Sequence, residues 1–124
     1  CASIANDFAG KNFDCVMAIA TPAAQAVAKL ATKTPVVFSA VTDPVGAQLT
    51  SSLSKPDKNI TGTSDEVQVD QIIDKALEIN PNTKTIGMLY NKGEANSVTN
   101  IKKAKAYCAK KNIKVEESNN CISQ

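Results

Sequence analysis

Phe13-Asp14-Cys15-Val16-Met17-Ala18-Ile19-Ala20-Thr21-Pro22-Ala23-Ala24-Gln25 is the stretch that decides the fold. All but one of its first eight residues are apolar. A short apolar run that leads into a helix start reads as a parallel strand buried on both faces. Thr21 suits a helix N-cap and Pro22 the first helical position. Residues 23–31 are strong helix formers. A strand that feeds a helix is the building unit of parallel α/β sheets.

The pattern repeats outward from this unit. Upstream, Ile4, Ala5 and Phe8 fall at helical spacing, and Gly10 ends that helix. Downstream, Val36-Val37-Phe38-Ser39-Ala40-Val41 is a second buried strand, rich in β-branched residues. Asp43-Pro44-Val45-Gly46 is a turn. Residues 48–59 are polar and read as a short helix and loop, and Ile60-Thr61-Gly62-Thr63 as a short strand or extended crossing. Val67, Val69, Ile72, Ile73, Ala76 and Leu77 recur at helical spacing over residues 66–79, and Asn80-Pro81-Asn82 stops that helix. Thr85-Ile86-Gly87-Met88-Leu89-Tyr90 is a third buried strand. After a polar loop, Asn96 or Ser97 is placed to cap a helix that runs to about Lys111, with Val98, Ile101, Ala104 and Cys108 as its buried stripe. Ile113-Lys114-Val115 opens a fourth strand. The alternation predicts an α/β class of parallel sheets flanked by helices.

Composition narrows the function. The 124 residues carry fourteen basic and twelve acidic side chains, so no strong field favours nucleic acid. Aromatics make up 4% and tryptophan is absent, which argues against base stacking. The lysines of residues 102–111 read as a solvated helix face. Histidine is absent, removing the usual general base and the commonest metal ligand. No GxSxG, GxGxxG or P-loop motif occurs, and Ser64-Asp65 has no histidine to complete a triad. The chain is therefore expected not to be an enzyme, with no cofactor or metal. Cys1, Cys15, Cys108 and Cys121 form no CxxC pair. Cys15 and Cys108 read as small buried hydrophobes.

Three strand ends run into small polar turns: Ala20-Thr21-Pro22-Ala23, Ala40-Val41-Thr42-Asp43-Pro44, and residues 90–97. Ligands of open α/β sheets sit outside the carboxyl ends of strands. Thr21 and the amides after Pro22 suit a carboxylate, whereas Asp43 and Glu94 suit an ammonium. Together they fit an amino-acid zwitterion. Capping and turn formation alone also account for Thr21, Asp43 and Ser97.

Four stretches resemble one family in order and spacing. They are residues 18–25, residues 36–47, Asn59-Ile60-Thr61-Gly62-Thr63-Ser64-Asp65, and Tyr90-Asn91-Lys92-Gly93-Glu94-Ala95-Asn96-Ser97. All are similar to the ABC transporter substrate-binding family that includes aromatic amino acid receptors of the TrpX type. The resemblance implies a type I periplasmic-binding-protein fold, two partial lobes in this chain, and no enzymatic activity. It implies a C-terminal part of the first lobe over residues 1–61, an inter-lobe crossing at 62–65, and an N-terminal part of the second lobe over 66–124. The chain is then a fragment, and Cys1 falls in mid-lobe rather than at a lipidated terminus. By the same resemblance, Thr21, Ala23 and Gln25 lie on a first cleft loop and Val41, Thr42 and Asp43 on a second. Ser64 and Asp65 lie at the crossing, and Asn91, Glu94, Asn96 and Ser97 on the second-lobe loop.

The implied function is the extracytoplasmic capture of an amino-acid-like solute for ABC permease subunits. A lipid anchor, as in a cell-surface lipoprotein, would lie outside this chain. Three departures stand out. Lys92 replaces a usual proline, Gln48 a common glycine, and Asp57-Lys58 a typical Gly-Gly turn. The same fold also serves as the effector-binding domain of transcription regulators, which an upstream helix-turn-helix would mark. A flavodoxin-like enzyme is a third reading, with no motif that calls for it.

Overall fold

The computed structural model describes residues 1–118. The chain separates into two compact units, Cys1–Glu66 and Val67–Gln124. Residues 62–64, where a crossing is expected, run as strand within the first unit.

In the first unit, α1 (Ala2–Ala9) precedes β1 (Val16–Ile19), α2 (Thr21–Val27), a 3-10 turn over Ala28–Thr32, β2 (Val36–Val41) and β3 (Ile60–Ser64). The three strands form one parallel sheet in the order β1-β2-β3. Val16, Val36 and Ile60 stand in one row across it, and all three are buried. Ala18 and Phe38 make the next row, with α2 packed on β1 and β2. Gly62 continues that row because nothing larger fits: a Cβ there would meet the Phe38 carbonyl oxygen at 2.0 Å.

Several expectations need correction. β1 is not buried on both faces: Met17 is 66% exposed and Ile19 65%. The described helices cover one face of the sheet, so the alternate residues of β1 have nothing over them. Cys15 is exposed, because the strand begins one residue later and Cys15 stays in the entry loop. The helix after β1 is α-helical only to Val27 and then tightens into the 3-10 turn. Residues 48–59 form no helix; turns and bends carry the chain there, tied by the Asp57 carboxylate to the Ser51 amide and the Thr50 hydroxyl.

β2 carries a bulge. Its register with β3 passes from Phe38 opposite Gly62 to Val41 opposite Ser64, one extra residue on the β2 side. Strict alternation would turn Ala40 into the core and Val41 out. The extra residue reverses this, so Val41 is fully buried and Ala40 exposed, with φ of 54°.

In the second unit, α3 (Val69–Ile79), β4 (Thr85–Leu89), α4 (Ala95–Lys110) and β5 (Lys114–Ser118) follow in order, and β4 and β5 pair in parallel. α3 starts later than expected, at Val69. Its Ile73 packs with Ala104, Cys108 and Ile113, and Ile86, Met88 and Val115 lie against that cluster. Cys108 is completely buried, as its place in the stripe predicts. α4 ends in a Schellman motif: Ile113 N–H donates to the Cys108 carbonyl and Asn112 N–H to that of Ala109. Asn112 has φ of 57°, which asparagine tolerates better than most residues. The Tyr107 hydroxyl donates to both oxygens of Asp74, and Lys111 pairs with the same carboxylate, fastening α4 to α3. As with β1, the strand β4 is not buried on both faces: Leu89 is 70% exposed. Cys121 lies outside the described residues.

Candidate functional site

The first unit gathers eight of the expected residues along the carboxyl edge of one sheet. β1 leaves the sheet at Ala20, whose N–H donates to the Ser39 carbonyl. Ala20, not Thr21, is the N-cap of α2, and no side chain caps the helix. Its backbone lies at φ 72°, ψ 157°, a region that glycine visits and alanine avoids. This abrupt exit makes Thr21 the first helical residue and buries it. The first intrahelical bond is Ala24 N–H to the Ala20 carbonyl, so the amides of Thr21 and Ala23 lie ahead of the helical ladder. Gln25 points elsewhere: its carboxamide donates to the Ala47 carbonyl and braces the turn after β2.

The bulge at Ala40 aims the second loop. Val41 and Thr42 are buried. One Asp43 carboxylate oxygen accepts the Gly46 amide at 2.8 Å, and a Cβ on Gly46 would collide with the other. Asp43 thus shapes its turn. β3 delivers the third loop: Ser64 Oγ donates to the Thr42 carbonyl, and Asp65 N–H to that of Val41. Three loops therefore meet at one edge, each on a neighbouring parallel strand, about 4.8 Å from the next. They offer unladdered amides and hydroxyls for a carboxylate, and the carboxylates of Asp43 and Asp65 for an ammonium.

In the second unit the four expected residues cluster at the carboxyl end of β4. Asn91 Oδ1 accepts the Gly93 amide, and Asn91 Nδ2 donates to Glu94 Oε1. Glu94 is the N-cap of α4, not Asn96 or Ser97, because the Asn91 turn brings the chain into helical geometry earlier. Asn96 and Ser97 lie in the first helical turn. The Oδ1 atoms of Asn96 and Asn100 are both buried without a partner among the described residues.

Sequence reading missed Ala20, Ala40 and Asn100. Alanine carries no signal for positive φ. Asn100 was findable, since it stands four residues after Asn96 and so shares its helix face.

The departures at residues 48, 57 and 58 turn out to be connected. Gln48 has φ of 62°, the conformation a glycine supplies at no cost. Lys58 Nζ donates to the Gln48 carbonyl at 3.0 Å. Asp57 is held down to a pKa of about 2, first by its hydrogen bonds from Ser51 and then by that from Thr50. This loop therefore replaces glycine freedom with side-chain anchors.

Among the described residues, no group of His, Cys, Asp or Glu stands close enough to hold a metal ion, and no helix is long and apolar enough to cross a membrane.

Known proteins resemble the chain over most of its length. A protein named tyrosine-binding protein from Clostridioides difficile is 39% identical over 115 residues, 93% of this chain but 33% of that protein. The crystal structure of a conserved domain protein from Vibrio cholerae is 47% identical with a TM-score of 0.91, covering 95% of this chain and 40% of that one. An ABC domain from Streptococcus pneumoniae in complex with L-Trp is 40% identical with a TM-score of 0.88, covering 94% of this chain and 40% of that one. The chain thus spans about a third of the curated relative. A family model described as ABC transporter substrate binding protein matches residues 1–120, and by that match the chain belongs to the ABC transporter substrate-binding protein family.

Proposed function

We propose that the protein containing this chain captures an amino acid, of aromatic type, outside the cytoplasm and delivers it to the permease of an ABC importer. The observation that carries the reading is the convergence of three polar loops at the carboxyl edge of one parallel sheet. Family membership and the two relatives named for tyrosine and L-Trp support the ligand class. The ligand carboxylate is assigned to the amides of Thr21 and Ala23 and the hydroxyls of Thr21 and Thr42, with Ser64 holding the Thr42 carbonyl in place. Its ammonium is assigned to Asp65 and Glu94, with Asp43 shaping its loop. Asn91, Asn96 and Ser97 complete the site, and Val41 and Gln25 support it. Residues 1–61 and 66–124 are assigned to parts of two lobes of the longer protein, with 62–65 as the crossing. No reaction is catalysed.

The test uses site variants of the full-length protein. Asp65→Asn and Glu94→Gln are each expected to weaken amino-acid binding by about 10- to 100-fold, the range for removing one charged partner of a buried ligand group. Unchanged affinity in both would remove the zwitterion assignment.

A further inference from the structure

Four described residues other than glycine have positive φ: Ala20 at 72°, Ala40 at 54°, Gln48 at 62° and Asn112 at 57°. No glycine does. Asn112 is of a tolerant residue type and closes a helix. Gln48 lies in the turn after β2, where Lys58 holds its carbonyl. Ala20 and Ala40 differ from both in where they stand. Ile19 is opposite Ser39 in the sheet register, so the residue that follows on each strand is a strained alanine. The pair sits side by side at the carboxyl edge, each just ahead of a proposed ligand loop.

Packing gives no reason for the two methyls, since both alanines are exposed. Hydrogen bonding gives none either. Ala20 N–H donates to the Ser39 carbonyl, and the Ala20 carbonyl accepts from Ala24 N–H. Glycine would make both bonds without strain. What a Cβ does at positive φ is narrow the backbone. It leaves only small allowed patches, whereas glycine ranges widely over that half of φ/ψ space. Alanine therefore fixes these strand exits more closely than glycine would, and lowers stability in doing so.

The two exits are also joined. The Ser39 carbonyl that Ala20 holds belongs to the peptide group leading into Ala40, so both strained residues act on one hydrogen-bonded unit. Beyond them stand Thr21 on one side and Val41 and Thr42 on the other, all three buried. The Val41 and Thr42 carbonyls in turn hold the Asp65 amide and the Ser64 hydroxyl. A swing at Ala40 would therefore carry to the third loop.

We infer that Ala20 and Ala40 are a coupled pair of positioning residues, which fix the proposed ligand loops against one another while lowering the stability of the fold. The inference rests on the proposed amino-acid site and assigns neither alanine a contact with the ligand.

Calorimetric titration of L-Trp and L-Tyr into the full-length protein, paired with thermal unfolding without ligand, tests it. Ala20→Gly and Ala40→Gly are each expected to raise the melting temperature and yet weaken binding about 3- to 10-fold, as the competent arrangement falls to roughly 0.1–0.3 of the population. The double variant should bind about as weakly as the weaker single one, because both release the same joint. Ala20→Ser and Ala40→Ser keep a Cβ and should stay within about 2-fold of the parent protein. Gln48→Gly relieves the same kind of strain in a turn with no assigned ligand contact; it should raise the melting temperature and leave affinity unchanged. A merely structural role would move stability and affinity in the same direction. Glycine variants that bind like the parent, or that melt earlier, overturn the inference, as do serine variants as weak as the glycine ones. A multiplicative loss in the double variant overturns the coupling. A parent protein that binds neither amino acid removes the functional reading and this inference with it, whereas a parent that binds while its glycine variants match it removes this inference alone.

Discussion

Ala20 shows how a single residue can shape the proposed site without contributing a side chain to it. Its backbone conformation turns β1 into α2 within one residue and presents the first helical amides at the sheet edge. Holding alanine there costs about 1–3 kcal/mol. Glycine removes that strain but gives back about 0.5–1 kcal/mol of chain entropy. Ala20→Gly is therefore expected to raise stability by about 1 kcal/mol, measured by denaturant unfolding. Gly62→Ala goes the other way, because its Cβ meets backbone that cannot step aside; a loss of about 1–3 kcal/mol is expected. Asp57 adds a pH signature. Its folded pKa of about 2 lies below the ordinary 3.8, so its anchoring is fully present above pH 4 and fades as pH falls toward 2. Asp57→Asn should lower the melting temperature at pH 7, and the gap to the parent protein should close across that acid range. A gap that stayed constant would show that Asp57 does not hold its loop by charge. Little of this was legible beforehand. The residues that bend the backbone are alanines and a glutamine, types whose usual preferences lie elsewhere.

At the scale of elements the sequence was more informative. Apolar runs, helix formers and periodicity located the strands and α-helices among the described residues, with Ile60–Ser64 settling as strand rather than an extended crossing, and of the expected stripe Ile101, Ala104 and Cys108 are buried while Val98 is half-buried. Boundaries were less legible, because they depend on neighbours. Asn96 and Ser97 are good caps in isolation, but Asn91 turns the chain first and gives the cap position to Glu94. The bulge in β2 was invisible, since it exists only as a mismatch with β3. The join of α3 to α4 follows the same logic. Asp74 is held below its ordinary pKa of 3.8, chiefly by the Tyr107 hydroxyl and then by Lys111. Tyr107 is raised above 10.0, chiefly by Asp74. Tyr107's share is thus present below its ordinary value and lost as pH climbs past it, whereas Asp74's is lost in acid. The fastening should work best between pH 4 and 10. Asp74→Asn should lower the melting temperature at neutral pH, with the difference shrinking below pH 3.8. Ile73→Ala should cost about 2–4 kcal/mol, because it empties the centre of the second core.

For the whole molecule, both sheets are covered by described helices on one face only. Apolar runs had predicted strands buried on both faces, yet Met17, Ile19 and Leu89 stand open. The runs record a burial that the described residues do not complete. This is the physical content of the partial match to longer relatives, and it is why the strand-end loops were legible while what encloses them was not. The polar residues at the strand ends could be read because open parallel sheets bind at that edge. Their ligand could not, since caps, turns and zwitterion contacts draw on the same residue types. The central claim, capture of an aromatic amino acid, is tested most directly by calorimetric titration of L-Trp and L-Tyr into the full-length protein. Saturable heat at one site, with a matching rise in melting temperature, is the predicted result. Neither heat nor a thermal shift with either amino acid would contradict it.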